Sequence, residues 1–332
     1  MIETPDAGRR SPAWQWHRPL MVMTAAMAAT AVLTLFGVLV DDRVLAGEPV
    51  WLKPFKFALS IGVYTLTWAW MLSLLPVGRR VAGGIATFVV VLLGIEVVGL
   101  VVQAFRGRRS HFNKASEFDT LLGNVMGISA ALILLCTLAL AVVFFIARIT
   151  DTAAAWAIRL GALLSVAGMA FGPLMGSETE PQRAARLAGT SDGIVGGHSV
   201  GVPDGGPGMP LTGWSTVGGD LRVPHLIGIH ALQVLPIVVM LLGLLARRYA
   251  VLRLDGARVG LVWIAAISYA GLIAVVGWQA FRGQSLIRPD GATGVALGAL
   301  LFLAVAGSVI VLMANRTRAK KYRNPIVEHA SI

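Results

Sequence analysis

Cysteine is nearly missing from this chain. Cys136 is the only one in 332 residues, so no disulfide can form within the molecule. Charge is scarce too: Asp, Glu, Lys and Arg make up 14% of the residues, against about 25% in an average soluble domain. What charge there is leans one way, with 28 basic residues against 17 acidic. The segments between apolar runs are short, and a nucleic-acid site needs a basic patch on a folded face, so nucleic acid is not expected as a partner. The glycine-rich run Gly205-Gly206-Pro207-Gly208 is not a phosphate loop, because no Gly-Lys-Ser/Thr opening a helix follows it. His225 and His230 are five residues apart and miss the i, i+4 spacing of a helical zinc pair.

What the chain has in abundance is apolar length. Hydrophobic residues form 56% of it, with a mean hydropathy of +0.74. Runs of about 20 apolar residues match the thickness of a bilayer core. The pattern predicts an all-α membrane protein with eight spans, at residues 20–40, 57–76, 81–105, 120–147, 153–175, 226–246, 258–281 and 294–314. Helices are expected because the runs lack the alternation of barrel strands. The first run follows Arg9-Arg10, and Val44-Leu45-Ala46-Gly47 resembles a cleavage site. That run is longer than a signal-peptide core, so a retained helix is expected.

The basic residues set an orientation. If the N-terminus is cytoplasmic, the inner segments hold 16 basic and five acidic residues, and the outer segments 12 and 11. Lys/Arg excess marks the cytoplasmic side, so both termini are expected inside.

One word occurs twice: Gln103-Ala104-Phe105-Arg106-Gly107 and Gln279-Ala280-Phe281-Arg282-Gly283. Each copy closes an apolar run. Shorter matches flank them, Phe36-Gly37 with Phe171-Gly172 and Leu122-Gly123 with Leu297-Gly298. Self-similarity of this kind predicts two parallel four-helix repeats, residues 1–150 and 151–318, followed by a basic tail at 319–332. Gln103 with Arg106 and Gln279 with Arg282 share helix faces, so each half presents one such pair as a candidate ligand-binding group. Interfacial anchoring, with the arginine reaching the headgroups, is the competing reading.

Function is expected where the halves differ. Glu96 is opposite Leu272 in the alignment and shares a stripe with Gly99, Gln103 and Arg106. An acid within a span is costly unless paired or facing water, which makes Glu96 a candidate proton carrier. The sixth span carries His225 at its mouth, His230 about 7–8 Å deeper and Gln233 one turn beyond, with Pro236 as a possible kink. Glu96, His225 and His230 are the candidate catalytic groups. The third difference is the outer loop 177–224, rich in glycine and proline, for which an ordered lid is expected. Lys53, His111, Asp220 and Arg222 join the candidate substrate-binding groups, and Ser116 with Asp119 forms a candidate helix cap. His198, Asp204 and His225 are candidate ligands for a divalent metal, though their spacing matches no standard zinc motif. No two helices offer histidines at matching depth for a haem.

The stretches His198-Ser199-Val200-Gly201, Asp204-Gly205-Gly206-Pro207-Gly208, Gly219-Asp220-Leu221-Arg222 and His230-Ala231-Leu232-Gln233 resemble those of a family of bacterial multi-pass integral membrane proteins. The resemblance covers about a third of the chain, and implies a bacterial inner-membrane location but no activity. Three functions stay open on the residues: an outward-facing site that binds or processes an anionic small molecule, free or lipid-linked; a proton-coupled transporter of a small solute; and a non-catalytic membrane subunit or sensor.

Overall fold

A computed structural model describes residues 13–323. Arg9, Arg10 and residues 324–332 of the expected basic tail lie outside the described residues. The chain is helical, with α1 (Arg18–Val40), α2 (Leu52–Ser73), α3 (Arg79–Arg106), α4 (Glu117–Ile146), α5 (Thr152–Met169), α6 (Phe171–Met175), α7 (Glu180–Leu187), α8 (Arg222–Ile229), α9 (Ala231–Leu245), α10 (Asp255–Phe281) and α11 (Gly291–Arg323). Two short hairpins complete it: β1 (Val44–Leu45) pairs with β2 (Glu48–Pro49), and β3 (Ser199–Val200) with β4 (Gly219–Asp220), both antiparallel.

Seven helices among the described residues are long and apolar enough to cross a bilayer, or eight if α8 and α9 count as one bent span. The protein is a multi-pass helical membrane protein by length and composition. Its outward surface agrees: Leu33, Leu39, Leu301 and Phe302 are exposed on α1 and α11, as lipid-facing positions should be.

α1 packs on α2, and α3 on α4; α5 packs on α8 and α9, and α10 on α11. α4 against α5 and α2 against α9 join the two groups. One core, around Trp68, Phe144, Leu20 and Met71, fills the first four helices and reaches Ile158 of α5 and Leu232 of α9. A second lies between α5, α9 and α10 around Ala157, Leu235 and Val262. The tightest crossing is α5 on α8: a Cβ added at Gly168 would sit 2.4 Å from the Gly228 Cα. Only paired glycines allow backbones to approach that closely.

The sixth span differs from its expectation. Pro236 lies inside α9 and does not break it; the break falls at His230, where α8 and α9 meet at a 43° bend. The opened turn leaves the Ile227 carbonyl to accept the Tyr269 hydroxyl of α10 at 2.6 Å. The stretch read as a cleavage-like site is also something else. Ala46 and Gly47, with φ of 51° and 79°, form the two-residue turn of the β1–β2 hairpin, the left-handed geometry that tight hairpins favour. The outer loop carries α7, opened by a Thr179–Gln182 capping box, and then the β3–β4 pairing.

Both copies of the repeated word end in one motif. Gly107 and Gly283 take positive φ, 62° and 68°. Gly107 N–H donates to Ala104 O and Arg108 N–H to Gln103 O; Gly283 N–H donates to Ala280 O and Gln284 N–H to Gln279 O. This is the Schellman cap, in which glycine supplies the left-handed residue.

Candidate functional site

The lid end of the bundle holds a partly open cavity of about 150 Å³. Four pieces of chain wall it: the β1–β2 hairpin, the first turn of α2, the loop at 108–112, and lid residues between His198 and Ser215 with Arg222 behind them. Leu100 and Ala104 of α3 complete the lining. The hairpin and the lid touch directly, since a Cβ on Gly47 would meet the Gly205 carbonyl at 2.9 Å.

Four basic side chains line the cavity, Lys53, Arg108, Arg109 and Arg222, against two carboxylates, Glu48 and Asp204. Each carboxylate already has one oxygen engaged, while Glu48 Oε1 has no hydrogen-bond partner among the described residues. Glu48 Oε2 accepts from Lys56 Nζ at 2.8 Å, and Asp204 Oδ2 faces His198 Nδ1 at 3.2 Å. Arg222 is held by Asp220 at 2.7 Å and donates to the Gly213 carbonyl at 2.6 Å. Lys53 is different. Among the described residues its one hydrogen bond runs to His111 Nδ1, a neutral acceptor, at 3.3 Å.

Asp204 is fixed from several directions. It accepts from the backbone N–H of His198 (3.0 Å) and Ser199 (2.8 Å) as well as facing the His198 ring. Burial opposes its ionisation, but the His198 ring and these amides outweigh burial and hold its pKa well below the usual carboxylate range. Burial lowers the pKa of His198, opposed by Asp204 and assisted by Lys53 and Arg222. His111 is pushed well below its usual value, by burial first and then by Lys53 and His198. Phe112 packs edge-on to His198 with centroids 5.0 Å apart.

Of the sequence-derived candidates, Lys53, His111, His198, Asp204 and Arg222 meet at this cavity, and Asp220 braces Arg222 from behind. The others are elsewhere. Gln103 Nε2 donates to Asp119 (2.8 Å) and to the Arg109 carbonyl (3.2 Å), and Arg106 pairs with Asp119. Gln279 donates to the Ser285 carbonyl at 2.7 Å, and Arg282 pairs with Asp290. These four residues were expected to bind a ligand. Instead, in both copies, the glutamine closes the turn after its helix and the arginine ties on the start of the next. Arg106 also lies over Phe118 and Arg282 over Trp278. Ser116 caps α4, accepting from Asp119 N–H at 3.1 Å, as expected.

The three candidate catalytic groups are dispersed. His225 Nδ1 lies 2.9 Å from the Gly168 carbonyl, at the α5–α8 crossing. His230 contacts Gln233 at 3.2 Å, and Gln233 donates to Thr67 of α2 at 3.2 Å. Glu96 is 5% exposed with an unpartnered Oε1. It sits one turn below Leu100, the cavity floor, and Lys53 is the charge that acts on it. The metal expectation does not assemble either. His198 and Asp204 pair with each other, His225 lies at the helix crossing, and no group of three His, Cys, Asp or Glu residues comes together among the described residues. Glu48 escaped the sequence reading; its signal was an isolated acid placed just before Lys53 and Lys56 at the mouth of a span.

Comparison with family models, with curated proteins and with solved structures found no match. The family resemblance noted for stretches between His198 and Gln233 therefore has no support from these comparisons.

Proposed function

We propose that this protein binds a small anionic ligand in the lid-covered cavity, with Lys53 as the principal countercharge and Arg222 and His111 beside it. One observation carries the reading: the Lys53 ammonium lines a partly open cavity and, among the described residues, has only a neutral imidazole as a hydrogen-bond partner. A half-buried cation with no carboxylate in ion-pair contact is costly unless an anion visits it. A small anion, or the anionic head of a lipid-linked molecule, fits both the charge and the volume.

The same reading places the cavity on the extracytoplasmic face of a bacterial inner membrane with both termini inside, an assignment supported by the basic residues of the opposite loops. A duplication of four helices is supported by the shared glycine cap of the two repeated words and by the matching neighbours of α1–α4 and α5–α11.

The test is thermal unfolding of the purified protein in detergent micelles with added phosphate, bicarbonate, acetate and glycerol phosphate. A bound anion raises the midpoint with concentration, because only the folded state binds it. Lys114→Gln, outside the cavity, serves as a charge control and should respond like the parent. No shift with any anion, at low ionic strength, overturns the reading.

A further inference from the structure

The two cavity histidines are held in opposite tautomers. An ammonium can only donate, so the Lys53 contact makes His111 Nδ1 an acceptor and leaves the His111 proton on Nε2. Ser110 Oγ, 3.0 Å from the same nitrogen, agrees with that assignment. At His198 the logic reverses. An ionised carboxylate can only accept, so Asp204 keeps the His198 proton on Nδ1 and leaves Nε2 as a bare lone pair. Both rings line the cavity, and among the described residues neither Nε2 has a protein partner. The cavity thus offers cationic donors from Lys53 and Arg222, a neutral donor from His111, and one acceptor, His198 Nε2.

Resting on the anion-binding reading above, we propose that this cavity selects oxyanions that keep a hydroxyl at neutral pH, and takes hydrogen phosphate over sulfate. Hydrogen phosphate sets its charged oxygens against Lys53, Arg222 and His111 and donates its P–OH to the bare His198 nitrogen. Sulfate has the same shape and charge but no proton to give. Its oxygen meets the lone pair of the half-buried His198 ring, so that acceptor gains no bond from the ligand. Sites built to bond a ligand hydroxyl reject analogues lacking it by up to about 10⁴-fold. Bicarbonate meets the same requirement, while chloride does not. A phosphate monoester, such as a lipid headgroup, loses its last P–OH near pH 6, so at pH 7.5 it behaves like sulfate.

His198 also sets how the selectivity changes with pH. The charged groups acting on it are Asp204 from the lid, Lys53 from α2 and Arg222 from α8, with His111 across the cavity. When His198 gains a second proton its Nε2 becomes a donor, and sulfate becomes acceptable. Sulfate affinity should therefore climb as pH falls toward the His198 pKa, which burial holds below the ordinary 6.5, by up to about tenfold per unit, while hydrogen phosphate loses its advantage.

Isothermal titration of the full chain in micelles at pH 7.5 tests the idea, with inorganic phosphate, sulfate and glycerol phosphate as separate titrants. Phosphate is expected to bind at least about 100-fold tighter than sulfate, with glycerol phosphate weak. His198→Asn retains a donor to Asp204, and so the lid contact, but lacks the distal acceptor; it should bring phosphate and sulfate together. Ring ¹⁵N shifts of the histidines provide a second measurement independent of any variant, expected to report protonated Nδ1 at His198 and protonated Nε2 at His111. Equal binding of phosphate and sulfate by the parent overturns the selectivity and leaves the anion site standing. Glycerol phosphate binding as well as phosphate points to a headgroup and likewise overturns it. No anion binding at all defeats the anion site itself.

Discussion

Lys53→Met should make the empty protein more stable and the anion site useless. The two effects have opposite signs, which is what separates a ligand-binding lysine from a structural one. Three carboxylates near the cavity have a cation or imidazole of their own: Glu48 has Lys56, Asp204 has His198, and Asp220 has Arg222; Glu96, one turn below Leu100, makes no contact with Lys53 close enough to be an ion pair. Lys53 has only the His111 nitrogen. Replacing a buried charge that lacks good compensation with an apolar side chain of similar length is stabilising by about 1–4 kcal/mol in comparable cases. The unfolding midpoint in micelles should therefore rise. The binding loss follows from Coulomb's law. Two unit charges about 4 Å apart at an effective dielectric near 20 interact by about 4 kcal/mol, which corresponds to nearly a thousandfold in affinity. Phosphate that raises the parent's midpoint should leave that of Lys53→Met unmoved at the same concentration. If Lys53→Met lowers the midpoint and still responds to phosphate, Lys53 is a brace and the reasoning fails.

Other expectations are more local. Gly168→Val forces α5 from α8, because the added Cβ meets Gly228 backbone at 2.4 Å; a loss of about 1–3 kcal/mol or more is expected from thermal unfolding, while Gly84→Ala, with nothing within 4 Å, should be silent or slightly stabilising. His111 and His198 both have folded-state pKa values below the ordinary 6.5. The unfolded chain therefore binds more protons as pH falls through 6.5, and the empty protein should lose stability from there downward; a midpoint flat between pH 7 and 5 would remove these histidines from the balance. Arg282→Gln should lower stability by loosening the α10–α11 turn while leaving anion affinity at the parent's level by titration.

The spans were legible because bilayer thickness sets a length that composition alone reveals. The bend in the sixth was not. Pro236 is visible in sequence, but the break at His230 comes from a tertiary crossing, Gly168 on Gly228, and from Tyr269 taking the Ile227 carbonyl. The repeated word was legible as a shared helix ending, and the partners of its polar groups were not. Gln103 and Arg106 share a face, as their spacing says, yet that face meets the first turn of α4, and only the fold reveals Asp119 waiting there. Lys53, His111, His198, Asp204 and Arg222 were found one by one, because a polar side chain at the end of a span has a cost that sequence shows. Their convergence was hidden, since it depends on the 198–215 segment folding back over the hairpin at 44–49. That hairpin was obscured by Ala46, an alanine in a conformation that glycine or asparagine ordinarily announces.

The β3–β4 pairing gives the lid a pinched neck. Ser199 lies opposite Asp220 and Val200 opposite Gly219, so the strand that enters the excursion at 201–218 leaves again beside its starting point. Such a neck makes the excursion a detachable module. It can lengthen, shorten or be exchanged without altering the distance α8 must cover to enter the bundle. Diversity in what the cavity accepts can therefore accumulate in this one stretch while the helices beneath keep their places.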